Sequence, residues 1–108
     1  MLDLTQRQLD AVRSIMHRRL PGREVRAFGS RATGTAKPHS DLDLVIMGDD
    51  PVPALVLAEL RDDLDDSDLP FRVDVLEWRD LPAAWRSEIV ARSVAIDRAV
   101  CLENFDKP

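Results

Sequence analysis

Three aspartates in this sequence lie where predicted strands would carry them beside an apolar core. Asp41 and Asp43 are separated by one residue at the start of the segment DLDLVI, and Asp74 lies between two valines in FRVDVLEW. Because alternate residues of a strand point to the same face, Asp41 and Asp43 should project together, about 7 Å apart. Two carboxylates at that separation repel each other unless a cation lies between them. Mg²⁺ is suited to this position, since it is bound by one or two carboxylates together with substrate phosphates.

The strand that carries Asp74 does not by itself decide the role of this residue. If this strand pairs beside the strand of Asp43, three carboxylates converge on one face, which is the pattern of two-metal catalysis. In the alternative, Asp74 forms an ion pair with an arginine, such as Arg72 or Arg26, and its role is structural. A carboxylate in an apolar strand needs one partner or the other.

The pair Gly29-Ser30, which precedes Asp41 with ten residues between them, favours the first interpretation. A glycine at the end of a strand allows the backbone to approach a ligand closely, and exposed N–H groups with a serine hydroxyl can bind phosphate oxygens. Arg31 and Lys37 lie in the same loop and could neutralise negative charge. A glycine-rich loop is weak evidence alone, but here a metal-binding pattern follows it.

The spacing of apolar residues predicts the elements that must position these side chains. Helices are predicted over residues 4–20 and 53–66 and from about residue 80 onward, where Trp85 and Ile89 should turn inward. Trp78 and Trp85 are expected to pack in the core or at its edge rather than to stack on a base. Strands are predicted over residues 25–28, 41–47 and 71–78, and residues 93–97 could form a short fourth strand. This alternation predicts an α/β (α+β) fold, a small mixed sheet backed by helices with the site at one open edge.

Length and composition restrict the class of protein. The 108 residues suffice for a single domain, residues 1–108, with one core. A net charge of −5 and a pI near 4.9 argue against direct nucleic-acid binding through phosphate neutralisation. The single cysteine excludes an intramolecular disulfide and favours a reducing compartment. The polar N-terminus and the lack of an apolar run approaching about 20 residues predict a cytoplasmic protein without membrane contact.

The glycine–serine pair, the Asp41-x-Asp43 motif ten residues later and Asp74 on a following strand together resemble the signature of the polymerase-beta-like nucleotidyltransferase superfamily. The segment GSRATGTAKPHSDLDLVI is similar, nearly residue for residue, to the minimal nucleotidyltransferases, or MNT proteins. The similarity extends over essentially the whole chain, because those proteins are single domains of about this length. The resemblance therefore implies the polymerase-beta-like nucleotidyltransferase fold.

The resemblance also implies a role for each residue of the motif. Two catalytic Mg²⁺ ions would be bound by three carboxylates, those of Asp41, Asp43 and Asp74. The last of these would also help to activate the attacking hydroxyl. The β- and γ-phosphates of ATP would be bound by the glycine–serine pair, and the neighbouring arginine would add to a nucleotide-binding set of Gly29, Ser30 and Arg31.

MNT proteins are typically the antitoxin partners of HEPN-domain toxins, which are RNases. The resemblance therefore implies Mg²⁺-dependent transfer of AMP from ATP to a hydroxyl of such a partner, often a tyrosine, with release of pyrophosphate. A chain of this length is nearly all catalytic core, so we expect the acceptor to be supplied by a separate protein. The sequence contains no tyrosine, which excludes self-modification at that residue type.

Two other functions compete with this interpretation. In the first, the protein is an antitoxin that neutralises its partner by binding alone and carries an inactive site. The presence of all three acids argues against this, because an unpaired buried carboxylate has no structural merit. In the second, the protein is a small-molecule nucleotidyltransferase, such as an aminoglycoside-modifying enzyme, a class that carries a further helical domain.

Overall fold

Four strands form one mixed sheet in the computed structural model, which describes residues 2–34, 36–37 and 40–97. They are Val25–Phe28 (β1), Leu42–Ile46 (β2), Val73–Glu77 (β3) and Val94–Asp97 (β4). Their order across the sheet is β3-β2-β1-β4. Strand β1 pairs antiparallel with both β2 and β4, whereas β2 and β3 are parallel. Strand β2 is therefore an interior strand with neighbours on both sides, and β3 lies at an edge.

Four α-helices accompany the sheet among the described residues: Gln6–Arg19 (α1), Ser30–Thr33 (α2), Ala54–Asp65 (α3) and Ala83–Arg92 (α4). Helix α1 begins with a capping box, in which the Thr5 hydroxyl accepts a hydrogen bond from the Gln8 amide and the Gln8 side chain accepts one from the Thr5 amide. A 3₁₀ turn, Trp78–Asp80, leads into α4. None of the helices in the described part of the chain has the length and apolarity that a membrane span requires.

Helices α1 and α3 pack on one face of the sheet and bury the main core. The fully buried side chains on this face come from α1, from α3 and from the inward positions of the two central strands; they are Val12, Met16, Val25, Ala27, Leu42, Leu44, Ile46 and Leu60. An ion pair on the surface links the two helices, because Nε of Arg19 lies 2.6 Å from a carboxylate oxygen of Asp63.

The opposite face of the sheet is covered by α4 over only part of its area. Val45, on this face of β2, is fully buried, and Ile89 of α4 is 1% exposed. Two residues earlier in β2, Asp43 is only partly buried. An interior strand with both faces covered is expected to be apolar throughout. Asp43 is the exception in β2, and it lies where the cover ends.

The predicted α/β class and the mixed sheet backed by helices are confirmed. The possible fourth strand is β4, whose residues Val94–Asp97 pair with β1. Helix α2 was not predicted, because its four residues are too few to show a helical repeat. The inward orientation predicted for Trp85 is wrong, since its side chain is 51% exposed, while Ile89 is buried as predicted. Residues 98–108 lie outside the described residues.

Candidate active site

The pairing of the strands places two of the three predicted acids side by side. Asp43 is opposite Phe28 in the antiparallel register of β1 and β2, and it is opposite Asp74 in the parallel register of β2 and β3. Paired residues share a face of the sheet, so these three side chains form a row across three strands. Asp41 lies one residue before β2 and is exposed. The structure therefore brings Asp43 and Asp74 together at the uncovered end of the sheet, with Asp41 two residues away along the chain.

An open cavity of about 680 Å³ lies over this row. Both carboxylates of the row, two arginines and two aromatic residues contribute to its lining, which consists of Phe28, Asp43, Arg61, Asp65, Arg72, Val73, Asp74, Val75, Leu76 and Trp85. Such a mixture suits a ligand that has both charged and apolar parts.

The surroundings of Asp43 disfavour the ionised form of its carboxyl. Partial burial raises the pKa of its carboxyl above the ordinary value, and the negative charges of Asp74 and then Asp41 raise it further. Burial and like charges both disfavour the ionised form. The site therefore holds more negative charge than its own residues neutralise, and a bound cation would relieve this.

Asp74 forms an ion pair with one of the two arginines that the sequence offers as partners. A guanidinium nitrogen of Arg72 lies 3.3 Å from its carboxylate, and the two side chains are 75% and 40% exposed. An ion pair this exposed contributes little, about 0–1 kcal/mol. Arg26, the other candidate, instead pairs with Glu24 at 2.8 Å and donates a hydrogen bond to the hydroxyl of Ser93. Asp74 thus lies beside Asp43 and also contacts Arg72, and its role as a metal ligand stays a prediction.

The chemistry of the donor set fits Mg²⁺, because all three candidate ligands are carboxylates and hard cations prefer oxygen. Within the part of the chain that the structure describes, no three acidic, histidine or cysteine side chains are close enough together to hold an ion as they are placed. Metal binding would therefore require the side chains to reorient, and the exposed contact between Arg72 and Asp74 is weak enough to be displaced. The site for two ions stays a prediction.

Gly29 meets the carboxylate of Asp43 directly. A Cβ atom added at Gly29 would lie 2.6 Å from Oδ2 of Asp43, well inside van der Waals contact. Its backbone angles, φ 77° and ψ −158°, fall in a region that is essentially restricted to glycine. Only glycine therefore allows the chain to leave β1 here and turn into α2 while the carboxylate stays in place.

Ser30 is the first residue of α2 and is partly exposed. The structure gives its hydroxyl no hydrogen bond to any described residue, and α2 has no side-chain cap. The amides of Ala32 and Thr33 donate to the carbonyl of Gly29, so they are already engaged within the turn. This placement leaves the hydroxyl available for a ligand and does not support a capping role.

The side chain of Arg31 is directed into the protein. Its side chain is buried, with 5% of the residue exposed. Its guanidinium donates hydrogen bonds to the carbonyl oxygens of Ser40 at 2.9 Å and Asp3 at 3.0 Å, and lies 4.0 Å from the centre of the Phe71 ring. The guanidinium is thus engaged inside the fold. Contact of Arg31 with a nucleotide, which the resemblance implies, stays a prediction.

Sequence reasoning missed the cationic and aromatic walls of the cavity. The sequence predicts that Trp85 packs in the core or at its edge, and its pattern gives no signal for Arg61. Arg61 lies on α3 and reaches the free edge of β3, where it donates to the carbonyl of Val75 at 3.3 Å. The exposure of Trp85 is consistent with the narrow apolar stripe of α4. Ile89 is the one buried residue of this helix, so Trp85 lies at the border of the stripe.

The sequence model of the nucleotidyltransferase domain matches residues 9–97 of this chain. The chain belongs to the nucleotidyltransferase domain family. This nucleotidyltransferase is 43% identical over 77 residues to a protein of Haemophilus influenzae named "Probable protein adenylyltransferase MntA", and the match covers 71% of this chain and 68% of that protein. The predicted resemblance to minimal nucleotidyltransferases is confirmed.

Solved structures agree with this assignment. A minimal nucleotidyltransferase of known structure superimposes with a TM-score of 0.65 at 32% identity, over 82% of this chain and 89% of that one. A chain of a toxin–antitoxin complex with AMP-PNP gives a TM-score of 0.70 at 19% identity, over 90% of this chain and 78% of that one. A chain of the complex between tri-AMPylated Shewanella oneidensis HEPN toxin and MNT antitoxin gives 0.66 at 16% identity, over 94% and 79%. At the two lower identities the likeness concerns the fold.

The charge of Asp43 should lower the stability of the metal-free protein. Because its pKa is raised, the folded state binds a proton more tightly than the unfolded state, so the ionised carboxylate is destabilising at neutral pH. In the presence of EDTA at pH 7, Asp43→Asn should therefore raise the melting temperature. The gain should shrink as the pH falls through the raised pKa and vanish below 3.8, the ordinary value, where the carboxyl is protonated in both states. Asp49→Asn, an exposed aspartate at the other end of β2, is the control. A lower melting temperature for Asp43→Asn at pH 7 would contradict this account.

Gly29→Ala should destabilise the protein in two separable ways. Its backbone angles cost about 1–3 kcal/mol for a residue with a Cβ atom, and the contact with Asp43 adds a second penalty. Gly22→Ala is the control, because φ there is 79° and a Cβ atom would meet nothing within 4 Å. We expect Gly29→Ala to be the more damaging, and to cost about 0.5–3 kcal/mol less in an Asp43→Ala background, measured by urea unfolding. Equal costs in both backgrounds would show that the carboxylate does not press on Gly29.

Proposed function

We propose that this nucleotidyltransferase transfers AMP from ATP to a hydroxyl, that of a tyrosine side chain, on a HEPN-type toxin, and so acts as the antitoxin of that partner. The observation that carries the proposal is the placement of Asp43, which pairs in register with Asp74 on one side and meets Gly29 on the other. The candidate cation-binding end of the sheet therefore lies next to the candidate phosphate-binding turn. The similarity to an MntA adenylyltransferase supports AMP as the transferred group.

In the proposed reaction, the acceptor oxygen forms a bond to the α-phosphorus of ATP. The bond from that phosphorus to its bridging oxygen breaks, and pyrophosphate leaves. When bound, Mg²⁺ supplies positive charge for the phosphates, and Asp41, Asp43 and Asp74 are the residues that would hold it. Asp74 accepts the proton of the attacking hydroxyl, and the Ser30 hydroxyl binds a phosphate oxygen. The rest of the catalysis is the positioning of reactants, which suits so small a fold.

A protein acceptor fits the surroundings of the carboxylates. Trp85 is half-exposed on the wall of the cavity and offers apolar surface next to the acids, which an acceptor side chain with an aromatic ring can contact. One solved complex with a chain of similar fold joins an MNT antitoxin to a tri-AMPylated HEPN toxin, which supports the same kind of partner here. Because the reaction consumes ATP, we propose the cytoplasm as its compartment.

One observation favours a second candidate, an antitoxin that acts by binding alone. The contact between Arg72 and Asp74 occupies the residue that would receive the proton. A site in which this ion pair persisted would be inactive, and the partner would then be neutralised by occlusion. The pair is too exposed to be strong, so the catalytic proposal is preferred.

The two candidates separate in one experiment with purified proteins. Incubation with ATP, Mg²⁺ and the cognate HEPN-type protein should add the mass of one or more AMP groups to that protein, and Asp41→Asn with Asp43→Asn should add none. Asp49→Asn with Asp50→Asn makes the same change in net charge at the far end of β2 and should transfer normally. Intact-protein mass spectrometry measures the adducts. If the wild-type and the Asp41/Asp43 double variant neutralise the partner equally and no adduct appears, binding alone is the function.

Ser30→Ala tests the phosphate contact. Loss of a hydrogen bond to a charged group costs about 1.5–3 kcal/mol, which is roughly a ten- to hundredfold fall in transfer efficiency. The hydroxyl makes no capping bond, so the melting temperature should stay within a few degrees of wild type. Ser87→Ala, at an exposed serine of α4 that donates to the carbonyl of Ala83, is the control and should retain full activity. An unchanged rate with a clearly lower melting temperature would assign Ser30 to the loop instead of the nucleotide.

A further inference from the structure

Arg31 is the one charged side chain that is buried among residues 2–34, 36–37 and 40–97, with 5% exposure. Burial of a guanidinium is unfavourable unless its donors are satisfied. Two of its nitrogens are hydrogen-bonded to backbone carbonyls, Nε to Ser40 at 2.9 Å and Nη1 to Asp3 at 3.0 Å. Its planar face lies 4.0 Å from the centre of the Phe71 ring. The side chain is therefore held from three directions by the protein.

Two of these partners lie shortly before candidate metal ligands in the sequence. Ser40 is directly followed by Asp41, and Phe71 comes three residues before Asp74. Arg31 itself follows Ser30 in α2, so one guanidinium connects the phosphate-binding turn to the approaches of β2 and β3. The amide of Asp3 returns a hydrogen bond of 2.7 Å to the carbonyl of Arg31, which fixes its backbone as well.

We infer that Arg31 is a positioning residue, which holds the starts of β2 and β3 against α2 and so sets the separation between the acids and the phosphate-binding turn. This inference rests on the proposed function, since it assigns Arg31 to the same site. Arg31 touches neither the nucleotide nor the acceptor in this role. Its effect is carried through the backbone at Ser40 and the ring of Phe71.

The geometry requires arginine and not merely a positive charge. The donors that bind Ser40 and Asp3 are separate nitrogens of one rigid plane, and the same plane stacks on Phe71. Lysine has a single ammonium group, which cannot reproduce this fork or the stacking. A role in binding phosphate through charge, in contrast, would be largely retained by lysine.

Arg23 provides a matched control within the same fold. Its guanidinium is hydrogen-bonded to the carbonyls of Met47 at 2.9 Å and Asp50 at 3.0 Å, just beyond the other end of β2. It thus anchors the backbone beside the same strand as Arg31 does, but away from the acids. A variant at Arg23 reports the cost of losing such an anchor without disturbing the candidate site.

The experiment compares Arg31→Ala, Arg31→Lys and Arg23→Ala with the wild-type protein. Mn²⁺ affinity is measured by titration without ATP or acceptor, and kcat and KM for ATP are measured in the transfer reaction. Arg31→Ala should weaken Mn²⁺ binding about tenfold and lower kcat about a hundredfold, while the KM for ATP changes by less than about twofold because no direct nucleotide contact is lost. Arg31→Lys should restore neither property. Arg23→Ala should leave both unchanged even where it lowers the melting temperature.

Amide hydrogen exchange supplies a readout that needs neither metal nor activity. The Leu42 amide donates to the carbonyl of Arg72 at 2.8 Å, at the point where the starts of β2 and β3 meet. Its exchange should be faster in both Arg31 variants and unchanged in Arg23→Ala. This measurement decides the inference even if the wild-type protein transfers nothing, and Arg31→Lys serves if Arg31→Ala fails to fold.

Two outcomes would overturn the inference. A raised KM for ATP with unchanged kcat, Mn²⁺ affinity and amide exchange, restored by Arg31→Lys, would show that Arg31 contacts the nucleotide. Unchanged Mn²⁺ affinity, kcat and exchange at Leu42, together with a melting temperature lowered as in Arg23→Ala, would reduce Arg31 to general stabilisation. A wild-type protein with normal Leu42 protection but no transfer would count against the proposed function alone.

Discussion

The partly buried negative charge of Asp43 is the constraint on which the rest of the site depends. Strand β2 is an interior strand, and all its other residues, Leu42, Leu44, Val45 and Ile46, are fully buried. A carboxylate in this strand can stay ionised only where the cover of the sheet ends and a counter-charge can approach. Val45, two residues along on the same face, is fully buried, whereas Asp43 is only partly buried. The same gap in the cover that solvates the carboxylate also forms the cavity above it.

Among the residues that the structure describes, no cationic side chain pairs with the carboxylate of Asp43. Partial burial, and then the negative charges of Asp74 and Asp41, raise the pKa of Asp43. On the other side of Asp43 lies Gly29, which has no side chain; a Cβ atom at this position would displace the carboxylate. If stability without a ligand were the only requirement, a cationic side chain would be expected beside this carboxylate. The protein instead retains repulsion that a bound cation relieves, which is typical of sites that have been selected for binding.

The arginines around the site act in different ways according to their burial. Arg72 is mostly exposed, and its pair with Asp74 can be exchanged for another interaction at little cost. Arg31 is buried and hydrogen-bonded to two carbonyls, so it cannot leave without exposing unsatisfied acceptors. One guanidinium is thus free to respond to a ligand, while the other holds the segments that carry the acids. Residue type alone does not distinguish these two roles.

Local patterns in the sequence determined most of the fold and the composition of the site. Alternation of apolar residues predicted three strands, and the spacing of the acids predicted that Asp41 and Asp43 belong to one site, because these patterns depend only on neighbours along the chain. The tertiary structure alone decided what depends on distant segments. Parallel pairing of β2 with β3 placed Asp74 beside Asp43, and the position of α4 placed the half-exposed Trp85 on the wall of the cavity. Arg31 follows the phosphate-binding turn in sequence and would be expected to face the nucleotide. Its partners Asp3, Ser40 and Phe71 are 28, 9 and 40 residues away, and only folding brings them close enough to turn its guanidinium inward.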